Sequence, residues 1–470
     1  MNFSSILVLI GISAIAGRIV WNRWRTFTLL GISVLAIFAF QPALPVRGVD
    51  FWLPTLTLSL ATFAWILTTP ATQRRWREQI PAVLILAGIT LCLGLTRYLG
   101  FSLPFTASLP PQTWQIAALL TLVTLIAALL TRSKAPALAI AFAFITLLLV
   151  ILKVPAFATQ TGFFLRQINQ QDVTLASPLD VRWLGFSYIA FRMIHTIRDR
   201  QSGRLPDVSL AEYVVYIIFF PTLAAGPIDR IERFLTDLRR PPALTGADWG
   251  TAGQRLTLGL FKKFVLADGL ALMALNDVNA LQIHSAGWAW VVLYAYAFQI
   301  YFDFSGYTDI AIGMGNLMGF KLPENFAAPY LKPNLTLFWN SWHITLTQWF
   351  RSYYFNPLTR ALRSSRWTWP PVLLILITQL STMILIGLWH GATLPFVLWG
   401  LWHGLGLFVD NRWSALTRSW VATRSPRWQA LFNACGVIFT FHFVMLGWVF
   451  FALPTFETCV HFFRVLFSIV

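Results

Sequence analysis

The run PVLLILITQLSTMILIGLWH, residues 371–390, holds no charged residue before its terminal histidine. A helix that crosses the hydrocarbon core of a bilayer needs about 20 such residues, so the stretch reads as a membrane span with His390 at its end. An ionisable side chain at that depth is costly, about 2.5–3.5 kcal/mol for a charged one on insertion scales, and so marks function. A second histidine lies in a similar setting, His343 in FWNSWHITL, residues 338–346. Imidazole takes and returns a proton near neutrality, which suits it to acid–base work.

The rest of the chain fits a membrane setting. Of 470 residues 57% are hydrophobic and 11% charged, against about 25% charged in soluble domains, which excludes a soluble globule. The 22 Trp and 40 Phe suit interfacial belts and intramembrane packing. The net charge of +17 would suggest nucleic acid in a soluble protein. Here the basic residues fall between apolar runs, so the partner they imply is anionic lipid and not nucleic acid. Cys92, Cys435 and Cys459 all sit in apolar surroundings without metal or disulfide spacing and read as buried packing residues. No metal site is expected.

Outward from 371–390, apolar runs cover about 3–20, 26–42, 51–68, 79–96, 114–131 and 135–152, then 183–197, 287–302, 306–319, 394–409 and 430–452. The first run lacks a basic residue before it and reads as a retained helix, not a cleaved signal. Basic residues alternate in the loops that follow: Arg18, Arg23 and Arg25, then Arg47, then Arg74, Arg75 and Arg77, then Arg97, then Arg132 and Lys134. By the positive-inside rule the N-terminus is extracytoplasmic and the loops at 18–25 and 70–79 are cytoplasmic. Residues 153–183 read as a polar external connection. Parity fails at Tyr213–Gly226, which holds Pro221, is followed by Pro227, and has basic residues on both sides. That pattern predicts a re-entrant or broken helix, tolerated where protein or water lines the backbone. The expected division is an N-terminal bundle of about six spans, 1–152, and a catalytic core, 160–470. No internal repeat suggests an inverted-repeat transporter.

Asn340 and His343 are three apart and would share a face if helical, with Trp339, Trp342 and Trp349 around them. Gly391 allows close backbone approach beside His390. His403, in Trp402-His403-Gly404, could pack or shape a site, whereas His195, His442 and His461 read as hydrogen-bonded packing residues.

The run YFDFSGYTDIAIG, residues 301–313, resembles a hallmark of the membrane-bound O-acyltransferase family, in the bacterial branch of alginate O-acetylation and teichoic-acid D-alanylation. Flanking motifs agree in order: LGFSYIAF at 184–191, FFPTLAAGPI at 219–228, GLFKKFVLAD at 259–268, NFAAPY at 325–330, FWNSWHITLT at 338–347 and GLWHGA at 387–392. The resemblance implies an all-α, polytopic bundle with re-entrant or broken helices around a central funnel or tunnel. It implies O-acyl transfer, with His390 the essential catalytic residue and His343 the second active-site residue. The six spans before the first motif depart from the pattern, as do Thr345 and Thr347 where one serine is usual.

On this reading His390 is the general base, His343 and Asn340 orient or polarise the acyl carbonyl, and Trp339 and Trp389 wall the site. Asp303, Tyr307 and Asp309 either shape the site or bond between helices. Burial favours the neutral, base-competent ring, and both histidines should line one cavity open to both membrane faces. The donor would be a coenzyme A or acyl-carrier thioester, drawn to a basic mouth of Lys262, Lys263, Arg230 and Arg233. The acceptor would be an extracytoplasmic polysaccharide or cell-wall polymer, with an extracytoplasmic transferase as partner and no bound cofactor. A multi-pass transporter or lipid-linked sugar flippase is the competing reading.

Overall fold

A computed structural model describes residues 3–19, 24–99, 105–132, 136–241 and 243–469. Arg23 and Lys134 lie outside the described residues. Among those described the chain is 77% helical and has no strand, only one isolated antiparallel bridge between Phe326 and Trp342. This is an all-α membrane protein.

The helices run α1 (Phe3–Ile19), α2 (Arg25–Ala39), α3 (Val49–Thr68), α4 (Trp76–Leu95), α5 (Thr113–Leu130), α6 (Pro136–Lys153), α7 (Pro155–Ile168), α8 (Phe186–Gln201), α9 (Leu210–Ile218), α10 (Ile231–Arg239) and α11 (Gly246–Phe261). They continue as α12 (Asp268–Ala271), α13 (Asn279–Gln282), α14 (Ala286–Leu317), α15 (Leu335–Trp339), α16 (Ile344–Phe350), α17 (Asn356–Arg363), α18 (Pro371–His390), α19 (Leu394–Ala422), α20 (Pro426–Ala452) and α21 (Phe456–Leu466). Thr245 opens α11, and its amide and hydroxyl donate to the Asp248 carboxylate, holding that group below the ordinary carboxylate range.

Two compact units result, one of residues 1–256 and 310–322, the other of 257–309 and 323–470. The runs 287–302 and 306–319, read as two spans, form one helix of 32 residues, α14, that belongs to both units. The gap read between 302 and 306 is continuous helix.

Among the described residues five helices, α3, α5, α18 and α20 among them, are long and apolar enough to cross a membrane. A sixth is added if α6 and α7, bent by 93° at Val154, count as one span. The bend corrects the reading of 153–183 as a polar connection. In the first unit α7 is tied down by Arg166, whose Nε and Nη2 donate to Asp180 at 2.6 and 2.8 Å in a buried pair. Gly162 leaves room for it, since a Cβ there would stand 2.8 Å from Asp180 Oδ2.

The segment 213–226 breaks as expected. Helix α9 ends at Ile218, and Pro221 sits in a short 3-10 turn. The freed carbonyls would be costly if left unpaired. Arg192 of α8, 2% exposed, satisfies them: Nη1 donates to the oxygens of Ile217 at 2.8 Å and Tyr216 at 3.3 Å, and Nη2 to Thr222 O at 3.2 Å. Gly185, at φ +64°, lets the chain pass the Leu223 carbonyl oxygen, which a Cβ would meet at 2.2 Å.

The thiols correct one expectation. Cys459 is buried, but Cys92 and Cys435 are exposed and all three are free. The lipid-facing side of a span is as apolar as its packed side, so the sequence could not separate the two.

Candidate active site

The site lies in the second unit, and two close helix approaches build it. Helices α18 and α19 meet at glycine: a Cβ on Gly400 would stand 2.6 Å from Ile384 Cα, and one on Gly387 2.2 Å from the Phe396 carbonyl oxygen. Small residues let membrane helices pack backbone to backbone. That contact sets His390, the last residue of α18, against Phe451 at 4.8 Å, Trp399 at 5.6 Å and Phe396 at 6.1 Å between ring centroids. His390 is half-buried.

His343 is placed differently. It is 3% exposed and caps α16 with φ +43°, a left-handed conformation that costs a non-glycine residue about 1–2 kcal/mol. The fully buried Asn325 over-determines the turn. Its carbonyl accepts from Ile344 N at 3.0 Å, and its Oδ1 accepts from Thr345 Oγ1 at 2.6 Å and Thr345 N at 3.2 Å. The NFAAPY motif therefore clamps the WHIT motif, and Thr345 does the work of a hydroxyl anchor. The turn corrects the expected helical face: α15 stops at Trp339, so Asn340 and His343 do not share one. Asn340 is exposed and accepts from Arg351 Nη2 at 2.7 Å.

Trp389 brings the two histidine motifs together. Its ring lies 4.6 Å from His390 and 6.4 Å from His343. Phe304, from the 301–313 motif, closes the other side of His343 at 4.6 Å, edge to face. Trp399 touches both His390 and the fully buried His403, at 5.6 and 4.9 Å, and Trp339 stands 5.2 Å from His403. The three histidines thus share one aromatic wall. A crevice in the same unit, about 1060 Å³, is lined by Trp402, Asp410 and Phe439 among others but by neither His343 nor His390.

The acidic residues of 301–313 bond between helices. Lys262 Nζ donates to Asp309 at 2.7 Å, and Lys263 is paired with Asp303. Tyr307 is buried on the same helix. Both lysines sit on a π-helical turn, Lys262–Ala267, a form frequent at functional sites. In the first unit Arg233 is paired with Asp229, while Arg230 is exposed beside it. Lys262, Lys263 and Arg233, expected in the basic mouth, each face a carboxylate that matches their charge.

Gly306 is what lets α14 lie against 259–263, since a Cβ there would stand 2.8 Å from both Gly259 O and Lys263 N. Gly306→Ala must push the two backbones apart, and overpacking of this kind costs about 1–3 kcal/mol. Thermal unfolding in detergent should show the loss, and an unchanged transition would contradict the close approach.

His442 is a packing residue, with Nε2 2.9 Å from Tyr294 Oη and Nδ1 2.8 Å from Ile438 O. Arg192 borders the LGFSYIAF motif and Asn325 opens NFAAPY, yet neither has a role legible in the sequence, because the groups they serve lie elsewhere in the chain. Only a broken helix or a left-handed turn, seen in space, gives them a task.

A profile of the membrane-bound O-acyltransferase family matches residues 137–454. The chain belongs to this family. It is 35% identical over 286 residues to the probable alginate O-acetylase of Pseudomonas aeruginosa, covering 61% of this chain and 51% of that protein. It is 29% identical over 277 residues to the teichoic acid D-alanyltransferase of Bacillus subtilis, covering 58% and 69%. With the peptidoglycan O-acetyltransferase of Helicobacter pylori it shares 32% identity over 331 residues, 64% and 60%. The chain spans about half the length of the alginate relatives it matches. It is a multi-pass membrane protein.

Proposed function

We propose that the chain is a membrane O-acyltransferase that moves a short acyl group, acetyl foremost, from a cytoplasmic thioester to a hydroxyl of an extracytoplasmic polysaccharide or cell-wall polymer. One observation carries this reading: Trp389 holds the imidazoles of both histidine motifs against a single indole. The names of the relatives, which act on alginate, teichoic acid and peptidoglycan, support the acceptor class.

In this reaction His390 takes the proton of the attacking hydroxyl, and the oxygen adds to the thioester carbonyl carbon. Collapse breaks the carbon–sulfur bond, the thiolate leaves, and the imidazolium returns the proton to it. The products are an ester and a free thiol. His390 suits the base because it is half-buried and so reachable, whereas the buried His343 suits polarising or positioning. Aromatic walls exclude water that would otherwise hydrolyse the thioester. The donor is a coenzyme A or carrier-protein thioester, and an extracytoplasmic transferase completes delivery to the polymer.

Cells that lose this chain should export polymer without its base-labile O-acyl esters, measured by mass spectrometry of the purified glycan. Polymer made in normal amount and fully acylated would sink the proposal. Loss of the polymer itself would favour a flippase.

The orientation proposed from the basic loops puts the N-terminus outside and 70–79 inside. Arg75 is well exposed, with its side chain at 71%. Arg75→Cys should resist an impermeant thiol reagent in intact cells and react after permeabilisation. Labelling of intact cells would reverse the orientation.

A further inference from the structure

In the first unit three metal-ligating groups come together. His195 and Asp199 sit four apart on one face of α8, 1% and 2% exposed, with Nε2 2.8 Å from Asp199 Oδ2. Glu232, in the first turn of α10, joins them: one ligand atom from each of the three lies within 4.8 Å of the others.

Hydrogen bonding fixes which imidazole nitrogen faces the carboxylates and in what form. The Tyr216 hydroxyl lies 2.8 Å from the Asp229 carbonyl oxygen, which can only accept, so its one proton goes there. Toward His195 Nδ1, 3.4 Å away, the Tyr216 oxygen therefore accepts, and the proton sits on Nδ1. Nε2 then turns toward two carboxylates, where a lone pair would be repelled. A positive centre is needed. A second proton on the ring, at Nε2, would serve Asp199 at 2.8 Å. It would not serve Glu232, whose Oε2 is buried with no hydrogen-bond partner among the described residues. Arg204 pairs with the other Asp199 oxygen, at 2.9 Å, and Arg233 is engaged by Asp229.

We propose that His195, Asp199 and Glu232 bind a divalent d-block cation of the zinc type, which fastens α8 to α10. One nitrogen and two oxygens form a ligand set such ions accept, and two ligands four apart on one helix face are a recurrent metal-binding spacing. With bonds of about 2.0–2.2 Å, ligand atoms around a tetrahedral ion stand about 3.4 Å apart. The His195–Asp199 contact opens slightly on binding, and the Glu232 carboxylate closes in. Tyr216 supplies the orienting contact on the second ring nitrogen that metal-bound histidines characteristically have. The sequence held no sign of this, because Glu232 is 33 positions beyond Asp199 and His195 reads as a packing residue.

The test uses full-length protein carrying no polyhistidine tag, purified in detergent, incubated with zinc, dialysed and measured by elemental mass spectrometry. The expected result is about one zinc per wild-type chain, falling at least tenfold in Glu232→Gln and His195→Ala. His284→Ala, which alters an exposed histidine outside the cluster, should keep the wild-type content. Chelation should lower the unfolding temperature of the wild type but not of Glu232→Gln. Background zinc in the wild type would overturn the site in favour of a protonated His195. So would a Glu232→Gln chain that keeps the full equivalent.

Discussion

His390→Ala is expected to lower acyl transfer by about 10²-fold or more while the protein stays folded and inserted, because a positioned base contributes about 10²–10⁴-fold. The fold should survive because His390 closes α18 at a half-buried position where the glycine contacts of Gly387 and Gly400, not the imidazole, set the helix approach. The loss should fall on turnover more than on the apparent donor affinity, since the proton moves only in the chemical step. His343→Ala should cost less if the ring only polarises or positions. Its left-handed turn is anchored by Asn325 and Thr345 rather than by the ring itself. Steady-state kinetics on purified variants separate the two roles, and a His390→Ala enzyme with wild-type turnover would remove the base.

Arg192→Leu is expected to destabilise the chain by about 3 kcal/mol or more, because it orphans several buried oxygens at once. The guanidinium serves carbonyls at 216, 217 and 222 and also the Thr222 hydroxyl. The shorter leucine side chain fills only part of the space and leaves those oxygens orphaned, and each buried orphan costs about 1–3 kcal/mol. Unfolding in detergent should shift sharply to lower temperature, with Arg192→Lys intermediate because one ammonium cannot reach both strands of the broken segment. A Leu variant as stable as the wild type would mean that the break at Pro221 needs no such support.

These two residues mark the limits of what the sequence discloses. Hydropathy finds α3, α5, α18 and α20 to within a few residues, since an apolar run of the right length has one use. It fails at α14, read as two runs, 287–302 and 306–319, where one helix continues and Gly306 serves a close approach. It fails also at α7, where amphipathic spacing reads as a polar connection. The histidines stand out in the sequence because imidazole in an apolar, tryptophan-rich run has few structural uses. Trp389 reads from the sequence as a wall of the site, but its reach to His343 does not, nor does the hold of Asn325. Asn325 sits 18 residues before His343, and Trp389 reaches that ring from a different helix, so only folding reveals either contact. Lys262 and Lys263 show the same limit: their partners Asp309 and Asp303 lie 47 and 40 positions away, so the sequence did not disclose the pairing.

The most direct test of an O-acyl transfer centred on His390 is a one-sided assay in proteoliposomes. Carbon-labelled acetyl thioester is supplied on the face bearing Arg75 and a soluble glycan acceptor, with any partner transferase, on the other. The account predicts base-labile label on the acceptor with one thiol released per ester formed, abolished by His390→Ala. Label that crosses the membrane without forming an ester, or ester formed equally well by His390→Ala, would contradict it.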